Sequence, residues 1–238
     1  MLVEVCVQSV EAAIIAAEAG ADRLELCEDL VSGGVTPSEE LVRQIQRSCD
    51  IPLHILIRPG AGGFAYTNAE YEKILQEINR FKQIGVTGIV IGILKEDRTI
   101  NLDRIKEIRN LTNGIHLTFH RAFDQVPDPI QASKNLEEIG VDTLLTSGQR
   151  NTAMEGLDLL KELKEMVTQM IIMPGAGINP DNIKSFKDAG FEAVHFSGTR
   201  KVGSTPGIPG VVNGNEKSDD TTLVFEPDWI HSMIKCVK

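Results

Sequence analysis

The sequence lacks any run of roughly 20 apolar residues, the length that an α-helix needs to cross a bilayer. Its amino terminus has no basic flank followed by an apolar stretch and a cleavage site, so a secretory signal peptide is not expected. Its four cysteines include no CxxC pair, which fits a reducing compartment better than a disulfide framework. We therefore expect a cytoplasmic protein.

Positive charge is also scarce, because 24 lysines and arginines face 34 aspartates and glutamates and leave a formal net charge of -10. The resulting field repels nucleic acid and anionic lipid, so neither nucleic acid nor a membrane is expected as a partner. No Gly-x-Gly-x-x-Gly fingerprint follows the first predicted strand, and no P-loop is present, so no nucleotide cofactor is expected. Small ligands remain the expected partners.

The fold class follows from an internal repeat in a chain of 238 residues, a length that suits one domain, 1–238. An amphipathic helix ends on a glycine, and an apolar strand begins two or three residues later, at 19–22, 84–87, 139–142 and 189–192. Four more apolar runs lie at 2–7, 53–57, 115–120 and 170–173. Eight strands alternating with helices predict an α/β protein, a TIM-like (β/α)8 barrel, with a doubly wound open sheet as the disfavoured alternative.

One stretch departs from this compact pattern. Residues 201–222 are rich in Gly, Pro, Asn and Ser and have no apolar periodicity, which predicts a flexible insertion after strand 8. It is either a lid over the carboxyl face of the barrel or a disordered surface loop.

Side chains alternate along a strand, so one parity of each predicted strand faces the barrel axis. The inward set is unusually polar and comprises Glu4, Cys6, Glu25, Cys27, His54, Arg58, Thr118, His120, His195 and Ser197. Barrel interiors are normally layers of Val, Ile and Leu, and a buried charge is costly unless it is paired. The cluster is either a self-satisfied network, in which Arg58 neutralises Glu4 or Glu25, or a site for chemistry. We expect His116 in the bottom layer of the barrel and no special role for His231.

Two of the inward residues are cysteines on adjacent parallel strands. Cys6 and Cys27 are expected at a similar height along the barrel axis, and neighbouring strands lie about 4.8 Å apart. Two thiolates at that spacing suit a soft monovalent metal such as Cu(I), whereas buried cysteines that bind nothing pack as small hydrophobes. Both interpretations stay open at this point.

Glycine-bearing turns after strands 6, 7 and 8 are placed where barrel enzymes hold anions with backbone N–H groups. We expect an anion or substrate pocket lined by Arg58, His120, Arg121, Ser147, Gly177 and Ser197. Glu25 and His120 are the candidate proton-transfer pair and Arg58 the anion-holding residue of a lyase, isomerase or hydrolase acting on a small phosphorylated or carboxylated substrate. No inward lysine supports a Schiff-base aldolase. An interaction or scaffold protein is a third hypothesis, and a homo-oligomer stays open.

The sequence closely resembles the CutC family, which is named for copper homeostasis. The resemblance rests on motifs in order along nearly the whole chain: Glu4-Val5-Cys6-Val7, Gly20-Ala21-Asp22-Arg23-Leu24-Glu25-Leu26-Cys27, Gly33-Gly34-Val35-Thr36-Pro37-Ser38, Ile57-Arg58-Pro59, Thr118-Phe119-His120-Arg121-Ala122-Phe123-Asp124, Leu145-Thr146-Ser147-Gly148 and Met173-Pro174-Gly175-Ala176-Gly177-Ile178. It implies a TIM-like barrel, a cytoplasmic location and Cu(I) binding through Cys6 and Cys27. The sequence departs from the family in the pair of glutamates after Ser38 and in the 201–222 insertion.

Overall fold

The protein is described by a computed structural model over residues 1–202 and 222–238. The predicted insertion lies almost entirely outside the described residues. Its two ends pair as the antiparallel strands β9 (Thr199–Val202) and β10 (Thr222–Phe225).

Eight parallel strands form the barrel. They are β1 (Leu2–Val7), β2 (Arg23–Leu26), β3 (Leu53–Leu56), β4 (Gly88–Ile91), β5 (His116–Phe119), β6 (Thr143–Thr146), β7 (Ile171–Pro174) and β8 (Ala193–Ser197). Each strand pairs with the next from β1 to β7, and β8 pairs with β1. A parallel bridge between Gly175 and His195 closes the ring between β7 and β8. The predicted (β/α)8 barrel is confirmed.

Helices alternate with the strands. They are α1 (Val10–Glu18), α2 (Glu39–Ser48), α3 (Asn68–Gln83), α4 (Leu102–Leu111), α5 (Pro129–Ile139), α6 (Leu157–Met166), α7 (Ile183–Asp188) and α8 (Pro227–Lys235), with short 3-10 helices at Leu30–Ser32 and Arg121–Gln125. In the described part of the chain, no helix is long and apolar enough to cross a membrane.

The repeated glycines end four of the helices and let the chain turn back into the next strand. Gly20, Gly85, Gly140 and Gly190 all have φ between 77° and 96°, the left-handed region that residues with a Cβ rarely adopt. At Gly140, this conformation lets the amide hydrogen-bond back to the carbonyl of Glu137 and end α5. The predicted helix ends are therefore confirmed at these four positions.

The apolar core lies between the barrel and its helices. Val3, Val5, Leu24 and Ile55 are completely buried in this layer, on the parity opposite to Glu4 and Glu25. The strands thus divide their side chains as predicted, with the aliphatic set outward against the helices. The polar set is left inside the barrel, where it forms the candidate site.

Gly88 offers a test of how tightly this polar interior is packed. A Cβ added at Gly88 would overlap the imidazole of His54 on the neighbouring strand, whereas one added at Gly63 would meet nothing. We expect Gly88→Ala to lower the free energy of unfolding by about 1–3 kcal/mol through overpacking. Gly63→Ala is the control and should leave it nearly unchanged. Equal urea midpoints for the two variants would contradict the packing described here.

Candidate functional site

The carboxylate of Glu4 lies at the centre of the polar interior and is completely buried. It accepts hydrogen bonds from Arg23 Nε at 2.5 Å and His195 Nδ1 at 2.7 Å, and His54 Nδ1 lies 3.8 Å away. Arg23 and His195 are the register partners of Glu4 on β2 and β8, so three adjacent strands bring the groups together at one level. Burial opposes ionisation of Glu4, but the His195 hydrogen bond and the charge of Arg23 outweigh it and lower the pKa to about 2.

Arg23 is thus the counter-ion of Glu4, and the expectation that Arg58 neutralises Glu4 or Glu25 is wrong. The sequence carried a signal for Arg23, which has the same parity as Glu25 and Cys27 on β2. Arg58 follows the end of β3, so it lies nearer the mouth of the barrel than Glu4 does.

His195 connects Glu4 to a second carboxylate. Its Nε2 lies 3.5 Å from Glu25 Oε2 while its Nδ1 contacts Glu4, so the imidazole sits between two acids. Burial disfavours the charged imidazole, but Glu25 and Glu4 outweigh that effect and raise the pKa of His195. Burial also raises the pKa of Glu25. The predicted pairing of Glu25 with His120 is replaced by a pairing with His195.

The two barrel cysteines do converge. Cys6 Sγ and Cys27 Sγ lie 3.6 Å apart, both buried and neither in a disulfide. Their hydrogen bond, burial and the nearby Glu25 raise the pKa of Cys6 well above its usual value, so its thiol is protonated at neutral pH. One ligand atom each from Cys6, Glu25 and His195 lie within 4.8 Å of one another. These three side chains offer a compact mixed sulfur, nitrogen and oxygen donor set, and Cys27 adjoins it through Cys6.

Arg58 lies at the carboxyl end of β3 and is fixed mainly by backbone groups. Its Nη1 donates to the carbonyls of Ser32 and Gly34, and its Nη2 donates to the carbonyl of Gly62 at 2.7 Å. The guanidinium also lies over the ring of Phe64, 5.2 Å from the centroid. These contacts, the carbonyl clamp of Arg58, could not be predicted from the sequence, because every residue type has a backbone carbonyl.

His120 is buried against Phe64, the ring that Arg58 also contacts, and has a defined tautomer. The amide of Ala122 donates to its Nδ1 at 3.1 Å, which leaves the proton of the neutral ring on Nε2. Burial and the charge of Arg58 lower the pKa of His120 to about 3, so the ring is neutral at physiological pH. Its ring packs against Phe64, with centroids 4.9 Å apart.

Arg121 and Ser147 are joined through Asp124, which sequence reasoning did not single out as a site residue. Asp124 binds Arg121 Nε at 2.8 Å and accepts from Thr146 Oγ1 and the amide of Ser147. Arg121 Nη2 also donates to Ser147 Oγ at 3.1 Å. The carboxylate of Asp124 therefore fixes the turn after β6 and orients Arg121 at the mouth of the barrel.

Two neighbouring cavities share this mouth. The first, about 190 Å³, is lined by both cysteines, Glu25, His195, Arg58, Phe64, His120, Arg121 and Ser197. The second, about 450 Å³, contains Gly177 and Trp229 and shares Arg121, His195 and Ser197. The anion pocket expected from the sequence is thus divided, with Gly177 in the second cavity and Ser147 behind Arg121.

The other two histidines lie outside the first cavity. His116, at the beginning of β5, stacks against His54 with ring centroids 4.8 Å apart and contacts Thr143 Oγ1 at 2.9 Å. His231 lies on an exposed turn of α8 and contacts the carbonyl of Pro227. Both positions agree with the roles expected from the sequence.

Sequence comparison places the chain in a known family. The sequence model of the CutC family matches residues 1–200. Relatives named as CutC family proteins from Enterobacter sp. (strain 638) and Salmonella typhi are each 40% identical over 196 residues, covering 82% of this chain and 79% and 76% of the two relatives.

Solved structures agree. A Streptococcus agalactiae protein described as a copper homeostasis protein CutC superposes with a TM-score of 0.77 at 27% identity, covering 82% of this chain and 98% of that one. Thiamine phosphate pyrophosphorylase of Pyrococcus furiosus superposes with a TM-score of 0.59 at 15% identity, covering 99% and 94%, and shares the fold alone.

The buried neutral histidines make a pH dependence testable. The pKa of His120 is about 3 in the folded protein, whereas an unfolded histidine takes up a proton near pH 6.5. The unfolded state therefore binds more protons between these values, and this contribution to stability falls as the pH is lowered. His120→Asn keeps an acceptor for Ala122 and removes the titrating ring. Between pH 7 and pH 5 we expect this variant to lose about 1–2 kcal/mol less stability than the wild type in urea unfolding.

His231→Asn is the matched control, because His231 is exposed. It should keep the wild-type pH dependence. His195 and Glu25 have raised pKa values and act in the opposite direction, so only the difference between variants is informative. An identical dependence in His120→Asn and the wild type would contradict a buried, neutral His120.

Proposed function

This chain belongs to the CutC family, and from that premise we propose that it takes part in copper homeostasis by binding Cu(I) in the cytoplasm through Cys6 and Cys27. The observation that carries the proposal is the 3.6 Å separation of the two sulfur atoms inside the barrel. Cu(I) is soft and accepts thiolate ligands, and both cysteines line the first cavity.

The surroundings of the thiols fit a metal better than a purely apolar contact. Glu25 and His195 both approach Cys6, so each could supply a further donor atom. Because the Cys6 thiol is protonated without metal, Cu(I) must displace protons on binding, and its affinity should rise with pH. The four cysteines include no CxxC pair, which favours a reducing compartment and is the basis for the proposed cytoplasmic location.

Cu(I) titration under reducing conditions, in competition with a chromophoric chelator, tests this proposal. The wild type should bind one ion per chain. Cys6→Ser combined with Cys27→Ser should weaken binding by more than about a hundredfold, since even the loss of an outer partner of a metal ligand costs 10 to 100-fold.

The other two cysteines provide a control. Cys49 ends α2 and Cys236 is exposed on α8. The Cys49→Ser, Cys236→Ser double variant should retain the wild-type stoichiometry and affinity. Equal loss in both double variants, or none in the first, would rule out Cys6 and Cys27 as the site.

A second candidate function is a barrel enzyme acting on a small phosphorylated or carboxylated substrate. The specific observation in its favour is the Glu25–His195 contact at 3.5 Å in the wall of the first cavity. A carboxylic acid with a raised pKa beside a basic imidazole suits proton transfer near neutral pH. In this candidate Glu25 carries the proton, Arg58 binds the anionic group and His120 contributes a hydrogen bond.

Isotope exchange distinguishes the two functions. The enzyme candidate tested is a lyase or isomerase that removes a carbon-bound proton: it should exchange that hydrogen of its substrate for deuterium in D2O, and Glu25→Gln should reduce the rate by about 100-fold or more. The proton removed by Glu25 is replaced by a deuteron from solvent, so no co-reactant is needed. If no small carboxylate or phosphate ester exchanges faster with the wild type than with Glu25→Gln, the enzyme candidate fails and the copper proposal is unaffected.

A further inference from the structure

We propose that the first cavity binds a small metabolite through a carboxylate or phosphate group, held by Arg58 and His120, and that this binding does not require copper. The proposal concerns the side of the cavity opposite the Glu4 network. Anion binding at this place is therefore independent of copper binding by the two cysteines.

In the described part of the chain, the charged groups around the cavity include one cation without an acidic partner. Glu4 faces Arg23, Glu25 faces His195, and Asp124 faces Arg121. Among the residues that the structure describes, Arg58 has no carboxylate within ion-pairing distance, although only 7% of its surface is exposed. A buried cation without a counter-ion is costly, and a bound anion would offset that cost.

Hydrogen-bond donors in the same wall also lack acceptors. Within the described chain, Arg58 Nε and His120 Nε2 are buried and make no hydrogen bond. The His120 tautomer puts a hydrogen on Nε2, so both atoms are donors. Tyr66 Oη is also buried, beside the guanidinium of Arg58. A ligand that only accepts hydrogen bonds, such as a carboxylate or phosphate, is the complement of such a wall.

The backbone makes room for both donors. A Cβ at Gly92 would overlap the ring of His120, and one at Gly33 would lie 3.1 Å from Arg58 Nη1. Glycine at these positions allows the two side chains to lie deep in the wall of the cavity. Arg58 is further oriented by its carbonyl clamp, so its fork is fixed before a ligand arrives.

The same clamp is the competing explanation for Arg58, because a structural arginine also binds carbonyls and stacks on an aromatic ring. Arg104 does this on α4, where it donates to the carbonyl of Tyr66 and to Asn68 Oδ1 and lies 4.3 Å from the centroid of Tyr71. Arg104 is only half-buried and does not line the cavity. It is therefore an internal standard for the structural role alone.

The size and position of the cavity limit the ligand. A volume of about 190 Å³ is smaller than the ~300 Å³ at which drug-sized pockets begin, so a molecule of a few carbons fits. Gly34 links the two ends of the site: its carbonyl accepts from Arg58, and an added Cβ would lie 3.4 Å from Cys27 Sγ. An anion bound to Arg58 would therefore occupy the cavity that the two thiols and Glu25 also line.

Thermal unfolding of metal-free, reduced protein tests the proposal, with inorganic phosphate in one arm and malonate in the other. At a hundredfold excess over Kd, a ligand that binds only the folded protein should raise the Tm of the wild type by about 5–10 °C. Arg58→Gln and His120→Asn should each reduce the rise, measured against their own baselines, by about half or more. Calorimetric titration gives Kd directly and should show at least a tenfold weakening in both variants.

Arg104→Gln is the matched control. It should lower the baseline Tm by losing a similar clamp, yet keep the full rise with anion. A rise in only one arm assigns the ligand to phosphates or to carboxylates. No rise in either arm with the wild type, or an undiminished rise in Arg58→Gln and His120→Asn, would overturn the proposal and leave Arg58 as a structural clamp. Cu(I) stoichiometry measured on Arg58→Gln should equal that of the wild type, so failure of either proposal can be recognised separately.

Discussion

The polar interior of this barrel depends on the completely buried carboxylate of Glu4. Its two strong partners, Arg23 and His195, come from the strands on either side, so the pairing ties β8, β1 and β2 together at one level. Removing one member of such a group would leave a buried charge unpaired, a change that typically costs about 3–5 kcal/mol. The network therefore limits which side chains the barrel can hold here.

The same network orients the groups nearer the mouth. With Nδ1 held by Glu4, the imidazole of His195 can present only Nε2 to Glu25. Glu25 in turn is the register partner of Cys6 on the neighbouring strand, and Cys6 meets Cys27. A chain of contacts thus runs from an ion pair in the core to two thiols in a cavity. The buried ion pair and the residues of the candidate site are successive members of one arrangement.

Much of this arrangement could be predicted from the sequence. The four glycine-ended helices predicted the strands, and the alternation of polar and aliphatic residues predicted which side chains face the axis. The alternation of residues along a strand shows which way each side chain points, but it gives no distances between side chains on different strands. It therefore could not show that His195 rather than His120 contacts Glu25. The alternation is also less regular beyond the end of a strand. For this reason the sequence suggested a pairing of Arg58 with a carboxylate that its side chain does not reach.

Other features depend on groups that residue types do not reveal. The carbonyls that hold Arg58 come from the loops at 32–34 and 62, and their approach to β3 is a product of the whole fold. In the sequence, nothing distinguishes Asp124 from other acidic residues. Only the fold brings its carboxylate to the turn after β6. Ser147 and Gly177 were expected in one pocket because both follow strands, yet Asp124 draws Ser147 behind Arg121.

X-ray absorption at the copper edge of the Cu(I)-loaded protein tests the central claim most directly, because it counts the atoms bound to the metal. Two sulfur scatterers are predicted, and they should disappear when Cys6 and Cys27 are both replaced by serine. A first coordination shell of nitrogen and oxygen alone, or two sulfurs that persist in that double variant, would contradict copper binding by this pair.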